Sequence, residues 1–264
     1  MTRIAVDRGG WALSAYVTGP DDAPPVVLSN SLGTGVAMWT PQREALEVTH
    51  RVIGYDTRGH GLSGTPDGPY SFDDLIDDAL AIMDHFGARR AGWAGVSLGA
   101  MTGLGLGLRA PDRLTRMVCA CARADAPPPF AASWDDRMEK IDAGGLEAIW
   151  PGTLSNWLTD DFRAQRTDVV ETLRRDFLAT RPAGYAGCAA ALKRLDYLRH
   201  LGDLTVPTLY IAGERDKGAT PDTMRAMKGA TPGARIEVLP DCGHIANLNA
   251  DAAFTAALRA HLGD

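Results

Sequence analysis

Residues 95–99, Gly-Val-Ser-Leu-Gly, place a serine between two glycines where an apolar run gives way to a helical pattern. This spacing is typical of a nucleophile elbow, a strand-to-helix turn that needs small residues two positions before and after the serine. The turn holds the hydroxyl above the sheet edge, at the positive end of the following helix. The pattern predicts that Ser97 is a nucleophile. A glycine-serine turn without chemistry is the alternative, so the partners that the chain can supply must decide.

A serine hydroxyl is a weak nucleophile until a histidine accepts its proton and a carboxylate orients that histidine. Of the six histidines, we expect His244 to be the base because it follows a strand-like run, on a loop beyond the strand's carboxyl end. Asp216 is the expected acid because it comes soon after the apolar run 208–212. Glu214 is the near alternative and Asp125 the more distant one. The chain order serine, aspartate, histidine is that of α/β-hydrolases.

Acyl transfer by such a triad also needs two backbone N–H groups that stabilise the developing oxyanion. One is expected from the residue after the nucleophile, Leu98. The other should come from the loop after the apolar run 26–28, where Leu32 is the best candidate. A simple glycine turn is the alternative interpretation of that loop.

Short apolar runs alternate with helical patterns along most of the chain, which predicts a mostly parallel sheet covered by helices on both faces. The expected strands are residues 3–6, 11–17, 25–30, 51–55, 91–96, 114–121, 206–213 and 234–239. The clearest helix spans 72–86, with Ser71 placed to cap its start and Gly87 to end it.

The helix after the elbow contains Gly103, Gly105 and Gly107, each of which should cost about 1 kcal/mol relative to alanine. We therefore expect this helix to be buried, with other groups packed against its bare backbone.

The alternation stops once. Residues 127–129 are three prolines, read as a stiff connector, and no strand-like pattern follows between about 130 and 200. We predict an α/β-hydrolase core formed by residues 1–124 and 201–264, with residues 125–200 inserted as a helical cap. Open α/β sheets bind ligands at the carboxyl ends of their strands, which is where this cap should lie.

The composition narrows the classes of function. The chain has 264 residues, of which 45% are apolar and 23% charged, and a net charge of −6 that argues against nucleic acid or anionic membrane as a partner. No apolar run approaches the roughly 18 residues of a membrane span, and the first residues lack the apolar core of a signal peptide. We expect a cytoplasmic protein. Its four cysteines form no C-x-x-C pair, which favours buried reduced thiols over a zinc site.

Several loops resemble the 3-oxoadipate enol-lactonase family of α/β-hydrolases. The similar stretches are 28–34 (Leu-Ser-Asn-Ser-Leu-Gly-Thr), 38–42 (Met-Trp-Thr-Pro-Gln), 55–61 (Tyr-Asp-Thr-Arg-Gly-His-Gly), 68–71, 184–186 and 219–221. The pair Asn30-Ser31 is more discriminating than the His-Gly common at this loop in other members of the fold. One departure is the elbow, which in the family reads Gly-Leu-Ser-Met-Gly-Gly and here ends in Gly99-Ala100.

The resemblance implies hydrolysis of a carboxylated enol-lactone to 3-oxoadipate, in the degradation of aromatic compounds, without a metal or other cofactor. Because the chain is acidic overall, an anionic lactone would need a specific cation from the cap. Arg137 is the first candidate and Arg181 the second. Among the cap tryptophans, Trp134 is expected to line the substrate pocket, whereas Trp150 and Trp157 are expected in the core of the cap.

Two other functions fit the same residues. The first is a different triad enzyme, such as an esterase, a carbon–carbon bond hydrolase or a perhydrolase. The second is a ligand receptor that keeps the fold and turns over slowly. The sequence leaves open the exact substrate, the oligomeric state and whether the cap moves.

Overall fold

The computed structural model describes residues 2–263 and is built around one sheet. The strands of this sheet in the described range are β1 (Ile4–Asp7), β2 (Ala12–Thr18), β3 (Pro25–Ser29), β4 (Arg51–Tyr55), β5 (Ala91–Val96), β6 (Leu114–Ala120), β7 (Thr208–Gly213) and β8 (Arg235–Leu239). Their order across the sheet is β1-β2-β4-β3-β5-β6-β7-β8. β1 and β2 pair antiparallel, as do β2 and β4, and every other neighbouring pair is parallel. The predicted mostly parallel α/β sheet is confirmed.

The register of the central strands brings the loops of interest together. Ser29 at the end of β3 pairs with Gly95 in β5, and Val96 pairs with Ala120 at the end of β6. Parallel strands that end level with one another deliver their following loops to the same sheet edge. The loops after β3, β5 and β6 therefore begin side by side.

Helices cover both faces of the sheet. They are α1 (Thr40–Leu46), α2 (Phe72–His85), α3 (Leu98–Arg109), α4 (Pro128–Gly144), α5 (Trp150–Trp157), α6 (Asp160–Gln165), α7 (Thr167–Ala179), α8 (Pro182–Lys193), α9 (Pro221–Ala230), α10 (Ala246–Asn249) and α11 (Asp251–Leu262). Short 3-10 turns occupy Val36–Trp39, Pro111–Arg113, Leu146–Ile149 and Leu198–Asp203. Over residues 2–263, none of the helices combines the length and apolar character that a membrane crossing requires.

The ends of α2 follow the predicted signals. The Ser71 hydroxyl accepts a hydrogen bond from the Asp74 N–H at 3.2 Å, and the Asp74 carboxylate accepts one from the Ser71 N–H at 2.8 Å. This reciprocal capping box satisfies two amides that the first helical turn leaves without partners. Gly87, just past the helix, has φ +66°, which a glycine adopts without steric cost.

The interior glycines of α3 are contact surfaces, as expected. A Cβ on Gly103 would lie 2.4 Å from Trp93 Nε1, and one on Gly105 would lie 2.3 Å from the Tyr197 hydroxyl oxygen. The same Trp93 Nε1–H donates to the Gly99 carbonyl at 3.0 Å. Large aromatic groups therefore pack directly against the helix backbone, so the low helix propensity of glycine is offset by burial.

The chain between β6 and β7 is helical. It contains α4 to α8, and Asp125 and Asp196 near its two ends form an isolated antiparallel bridge. Pro128 and Pro129 begin α4 and are not part of a connector, because a proline in the first helical turn lacks only an N–H that would have no partner there. We call residues 125–200 the cap segment; their status as a separate inserted unit remains a prediction.

The four cysteines are free and buried, which agrees with the expected buried thiols. Burial raises the pKa of the Cys188 and Cys242 thiols to about 12, which keeps them protonated and unreactive. Cys121 falls within the predicted strand 114–121. It lies instead just beyond the end of β6, with φ +48°.

Candidate active site

Ser97 occupies a sharp turn between β5 and α3. Its backbone has φ +55° and ψ −115°, a strained conformation for a residue with a side chain. A Cβ on Gly95 would lie 2.3 Å from the Gly99 carbonyl carbon, and one on Gly99 would lie 2.2 Å from the Ser29 carbonyl oxygen. Only glycine fits at these two positions. The Ser97 N–H donates to the Ala120 carbonyl at 2.9 Å, which fixes the turn on the neighbouring strand.

Asp216 and His244 meet beyond the ends of β7 and β8. His244 Nδ1 lies 2.7 Å from Asp216 Oδ2, and because an ionised carboxylate only accepts, Nδ1 carries the proton and donates it. The other carboxylate oxygen accepts from the N–H groups of Gly218 at 2.8 Å and Ala219 at 3.0 Å. Burial alone would raise the pKa of Asp216, but His244 and the two amide donors outweigh burial and hold this pKa below its usual range.

The alternative acids lie elsewhere. The Glu214 carboxylate is exposed to solvent and accepts from the Asp241 N–H at 3.1 Å. Asp125 pairs with Arg123 at 3.2 Å. Of the three carboxylates weighed from the sequence, only Asp216 contacts His244.

Ser97 and His244 line one cavity of about 370 Å³. Each is 9% exposed, so the two side chains are largely shielded from solvent but reachable from the cavity. Within residues 2–263, the Ser97 hydroxyl makes no hydrogen bond to a protein group. Hydrogen bonds between catalytic groups are often long before substrate binds, so the missing bond does not exclude Ser97 as the nucleophile.

The predicted oxyanion donors are Leu32, on the loop after β3, and Leu98, at the start of α3, and these two segments are tied together. The Gly99 N–H donates to the Asn30 carbonyl at 3.0 Å, and the Asn30 side-chain amide donates to the Tyr55 carbonyl at 2.8 Å. The N–H groups of Leu32 and Leu98 donate to no other group in the described part of the chain. An oxyanion requires donors that are free in this way, and the role of these two amides stays a prediction.

The cap segment supplies much of the cavity wall. Trp134 and Arg137 from α4 line the cavity, as does Tyr185 from α8. Trp157, expected in the cap core, is buried and also borders the cavity, because it ends α5 where that helix meets the His244 loop. Trp150 is buried among aromatic rings and does not line the cavity, in agreement with its expected core position.

Arg137 is a cation without a carboxylate partner. Its Nη2 donates to the Thr153 hydroxyl, its guanidinium stacks on Trp134 at 5.5 Å, and its Nε is buried with no hydrogen-bond acceptor. No carboxylate lies within 4 Å of it among residues 2–263. Arg181, the second candidate, donates to Ser63 and Thr65 and does not line the cavity.

Arg123, Asn156 and Lys217 are among the cavity residues that the sequence interpretation missed. Arg123 could have been found, because it follows β6 at the same sheet edge as Ser97 and Asp216. With Arg137, this cavity has three basic side chains on its wall and no aspartate or glutamate. The described chain also contains no group of three or more His, Cys, Asp or Glu side chains placed to hold a metal ion.

The fold and this site define the class. Residues 24–251 match the family model described as alpha/beta hydrolase fold, and the chain belongs to that family. Among its relatives, it is 34% identical to 3-oxoadipate enol-lactonase 2 of Acinetobacter baylyi, over 94% of this chain and 92% of the relative. A crystal structure of the enol-lactonase from Burkholderia xenovorans LB400 superimposes with a TM-score of 0.94 and 36% identity, covering 100% of both chains. The resemblance seen in the loop motifs is confirmed.

A more distant structural neighbour is a thermophilic esterase from Thermogutta terrifontis, solved with malate bound. It is 26% identical, with a TM-score of 0.90, and the match covers 98% of this chain and 97% of the esterase.

Proposed function

We propose that this protein is a serine hydrolase that opens a small carboxylated lactone, converting 3-oxoadipate enol-lactone to 3-oxoadipate. The observation that carries the proposal is the cavity itself. It joins the Ser97–His244–Asp216 arrangement to Arg137, a cation with no carboxylate partner among the described residues. The enol-lactonase relatives support the same substrate class.

In the proposed first step, His244 Nε2 takes the proton of Ser97 as the hydroxyl oxygen attacks the lactone carbonyl carbon. The carbonyl oxygen becomes an oxyanion held by the N–H groups of Leu32 and Leu98. The ring C–O bond then breaks, and His244 returns its proton to the departing enol oxygen. The ring-opened acyl group remains bonded to the serine oxygen, and the enol tautomerises to a ketone.

In the second step, His244 removes a proton from water, and the resulting hydroxide attacks the acyl carbon. The bond to Ser97 breaks, the serine recovers its proton, and a new carboxylate is formed. Asp216 stays ionised throughout, orients the imidazole and stabilises its charged form. No metal or organic cofactor enters either step.

Arg137 is proposed to bind the carboxylate that the substrate carries from the start. A buried carboxylate without a paired cation costs several kcal/mol, and Arg137 offers a charge-assisted hydrogen bond from a guanidinium already fixed by Thr153 and Trp134. The absence of acidic side chains from the cavity wall removes the repulsion that would otherwise oppose an anion.

The test compares kcat/KM for 3-oxoadipate enol-lactone, its methyl ester and uncharged lactones. The free acid should be preferred, and Arg137→Gln should raise KM for the acid at least tenfold with little change for the uncharged lactones. Arg174→Gln is the matched control, since Arg174 lies exposed in the cap segment and pairs with Glu147. Preference for the uncharged compounds would contradict the proposal.

Ser97→Ala tests the nucleophile. The variant should fold normally and lose roughly three to six orders of magnitude in kcat. Near-normal turnover would exclude the covalent mechanism.

Hydrolysis of small carboxylated esters is the second candidate, favoured by the malate-bound esterase among the structural neighbours. A panel of carboxylated esters assayed beside the lactone distinguishes the two functions. A higher kcat/KM for the lactone supports the ring-opening reaction, and a higher kcat/KM for an ester supports ester hydrolysis.

A further inference from the structure

The last turn of α5 touches both loops that carry the proposed acid and base. The Asn156 carbonyl accepts a hydrogen bond from the His244 N–H at 3.1 Å, and the Trp157 carbonyl accepts one from the Ile245 N–H at 3.0 Å. The final carbonyls of a helix have no partner within the helix, and here the histidine loop satisfies them. The approach is close: a Cβ on Gly243 would lie 2.6 Å from the Trp157 carbonyl oxygen.

The side chain of Asn156 reaches the other loop. Its Oδ1 accepts from the Lys217 N–H at 3.3 Å. Asp216 itself accepts from the next two amides, Gly218 and Ala219. All three amides that follow Asp216 are therefore held, two by its own carboxylate and the first by Asn156.

We propose that Asn156 is a positioning residue that holds the Asp216 loop and the His244 loop in one fixed arrangement. This inference rests on the proposed function, because it assigns Asn156 a role in orienting that pair. The residue touches the acid and base loops through their backbones: it holds His244 with its main chain and the residue after Asp216 with its side chain.

The expected cost follows from the geometry. Without Oδ1, the Lys217 N–H loses its partner. The residues after Asp216 are then held by the carboxylate's own two bonds and by Arg123, which donates to the Gly218 carbonyl at 3.4 Å. A displacement of about 1 Å at a reacting group can cost on the order of 100-fold in rate. The carbonyl bond to His244 survives any side-chain substitution, so the loss should be partial.

Asn156→Ala should lower kcat on a neutral ester such as p-nitrophenyl butyrate by about 10- to 100-fold, with KM changed less than threefold. Asn156→Asp keeps an acceptor oxygen in the same place, so its kcat should be at least tenfold higher than that of Asn156→Ala. Ser155→Ala is the matched control on the same helical turn, because the exposed Ser155 hydroxyl bonds only the Gly152 carbonyl. It should match the wild-type protein.

The rate at which a fluorophosphonate labels Ser97 provides a second measurement that needs no lactone. Slower labelling of Asn156→Ala, restored in Asn156→Asp, supports the positioning role even where the lactone proves to be the wrong substrate. Unchanged kcat and labelling in Asn156→Ala overturn the inference. Equal losses in the alanine and aspartate variants also overturn it. A wild-type protein that does not label at Ser97 refutes the proposed function itself.

Discussion

Replacing Asp216 by asparagine tests the proposed acid with almost no change in volume. The N–H groups of Gly218 and Ala219 both point at one carboxylate oxygen, at 2.8 and 3.0 Å. Two donors require an acceptor, so the asparagine carbonyl must occupy that place. Its NH₂ group then faces His244 Nδ1, where Oδ2 now lies at 2.7 Å.

An amide donor at this position reverses the histidine tautomer. Nδ1 becomes the acceptor, the imidazole proton moves to Nε2, and the nitrogen facing the cavity can no longer take the proton of Ser97. A wrong tautomer of this kind costs about 10⁴-fold in kcat, or about 5 kcal/mol of transition-state stabilisation. KM should change little, because Asp216 is not on the cavity wall.

The assay is steady-state turnover of the lactone and of p-nitrophenyl butyrate, with thermal unfolding to show that the variant is folded. Glu214→Gln and Asp125→Asn are the controls, since neither carboxylate contacts His244. Both should stay within about threefold of the wild-type kcat. An active Asp216→Asn, or a severe loss in either control, would refute the assignment.

Three further outcomes are expected. Gly103→Ala should destabilise the protein by about 1–3 kcal/mol, because its Cβ would overlap Trp93. Gly229→Ala on α9 has open space around it and should stabilise the protein by up to about 1 kcal/mol. Unfolding in urea measures both free energies, and equal effects would contradict the role of packing. Burial lowers the pKa of His60 from 6.5 to about 4, so His60 binds a proton at higher pH in the unfolded chain than in the folded protein. The free energy of unfolding should therefore fall by about 3 kcal/mol as the pH drops from 6.5 to 4. His60→Gln should show a flatter dependence of Tm on pH in that range, and an unchanged slope would contradict this. Activity should survive dialysis against a chelator, and loss that a divalent ion restores would disprove metal independence.

The sequence predicted the parts of the site whose geometry is local. The elbow around Ser97 is specified by Gly95 and Gly99, since those two backbones approach too closely for any side chain. The sheet edge was predictable for a similar reason, because Asp216 and His244 each come a few residues after an apolar run. Strand ends and tight turns can be recognised in a sequence because they require particular residue types.

The residues on the cap side of the cavity cannot be recognised from the sequence in this way. Asn156 and Trp157 reach the His244 loop only after α5 is packed against it, and no periodicity or spacing reports that contact. Trp157 is both buried and on the cavity wall, two properties that burial patterns alone do not separate. The prediction of a connector at Pro128 and Pro129 is wrong for a different reason, because prolines suit both a rigid connector and the first turn of a helix.

The close backbone contacts around the elbow have an evolutionary consequence. Positions 95 and 99 admit no Cβ, so no residue other than glycine is tolerated there. The cap segment, in contrast, supplies half of the residues that line the cavity. Phe130, Ser133 and Trp134 lie on one helix, and exchanging them alters the pocket without touching the sheet. Substitutions at a few cap positions can therefore change which substrate is bound, while the residues around Ser97 stay the same. A library randomised at those three codons would retrace that route in the laboratory.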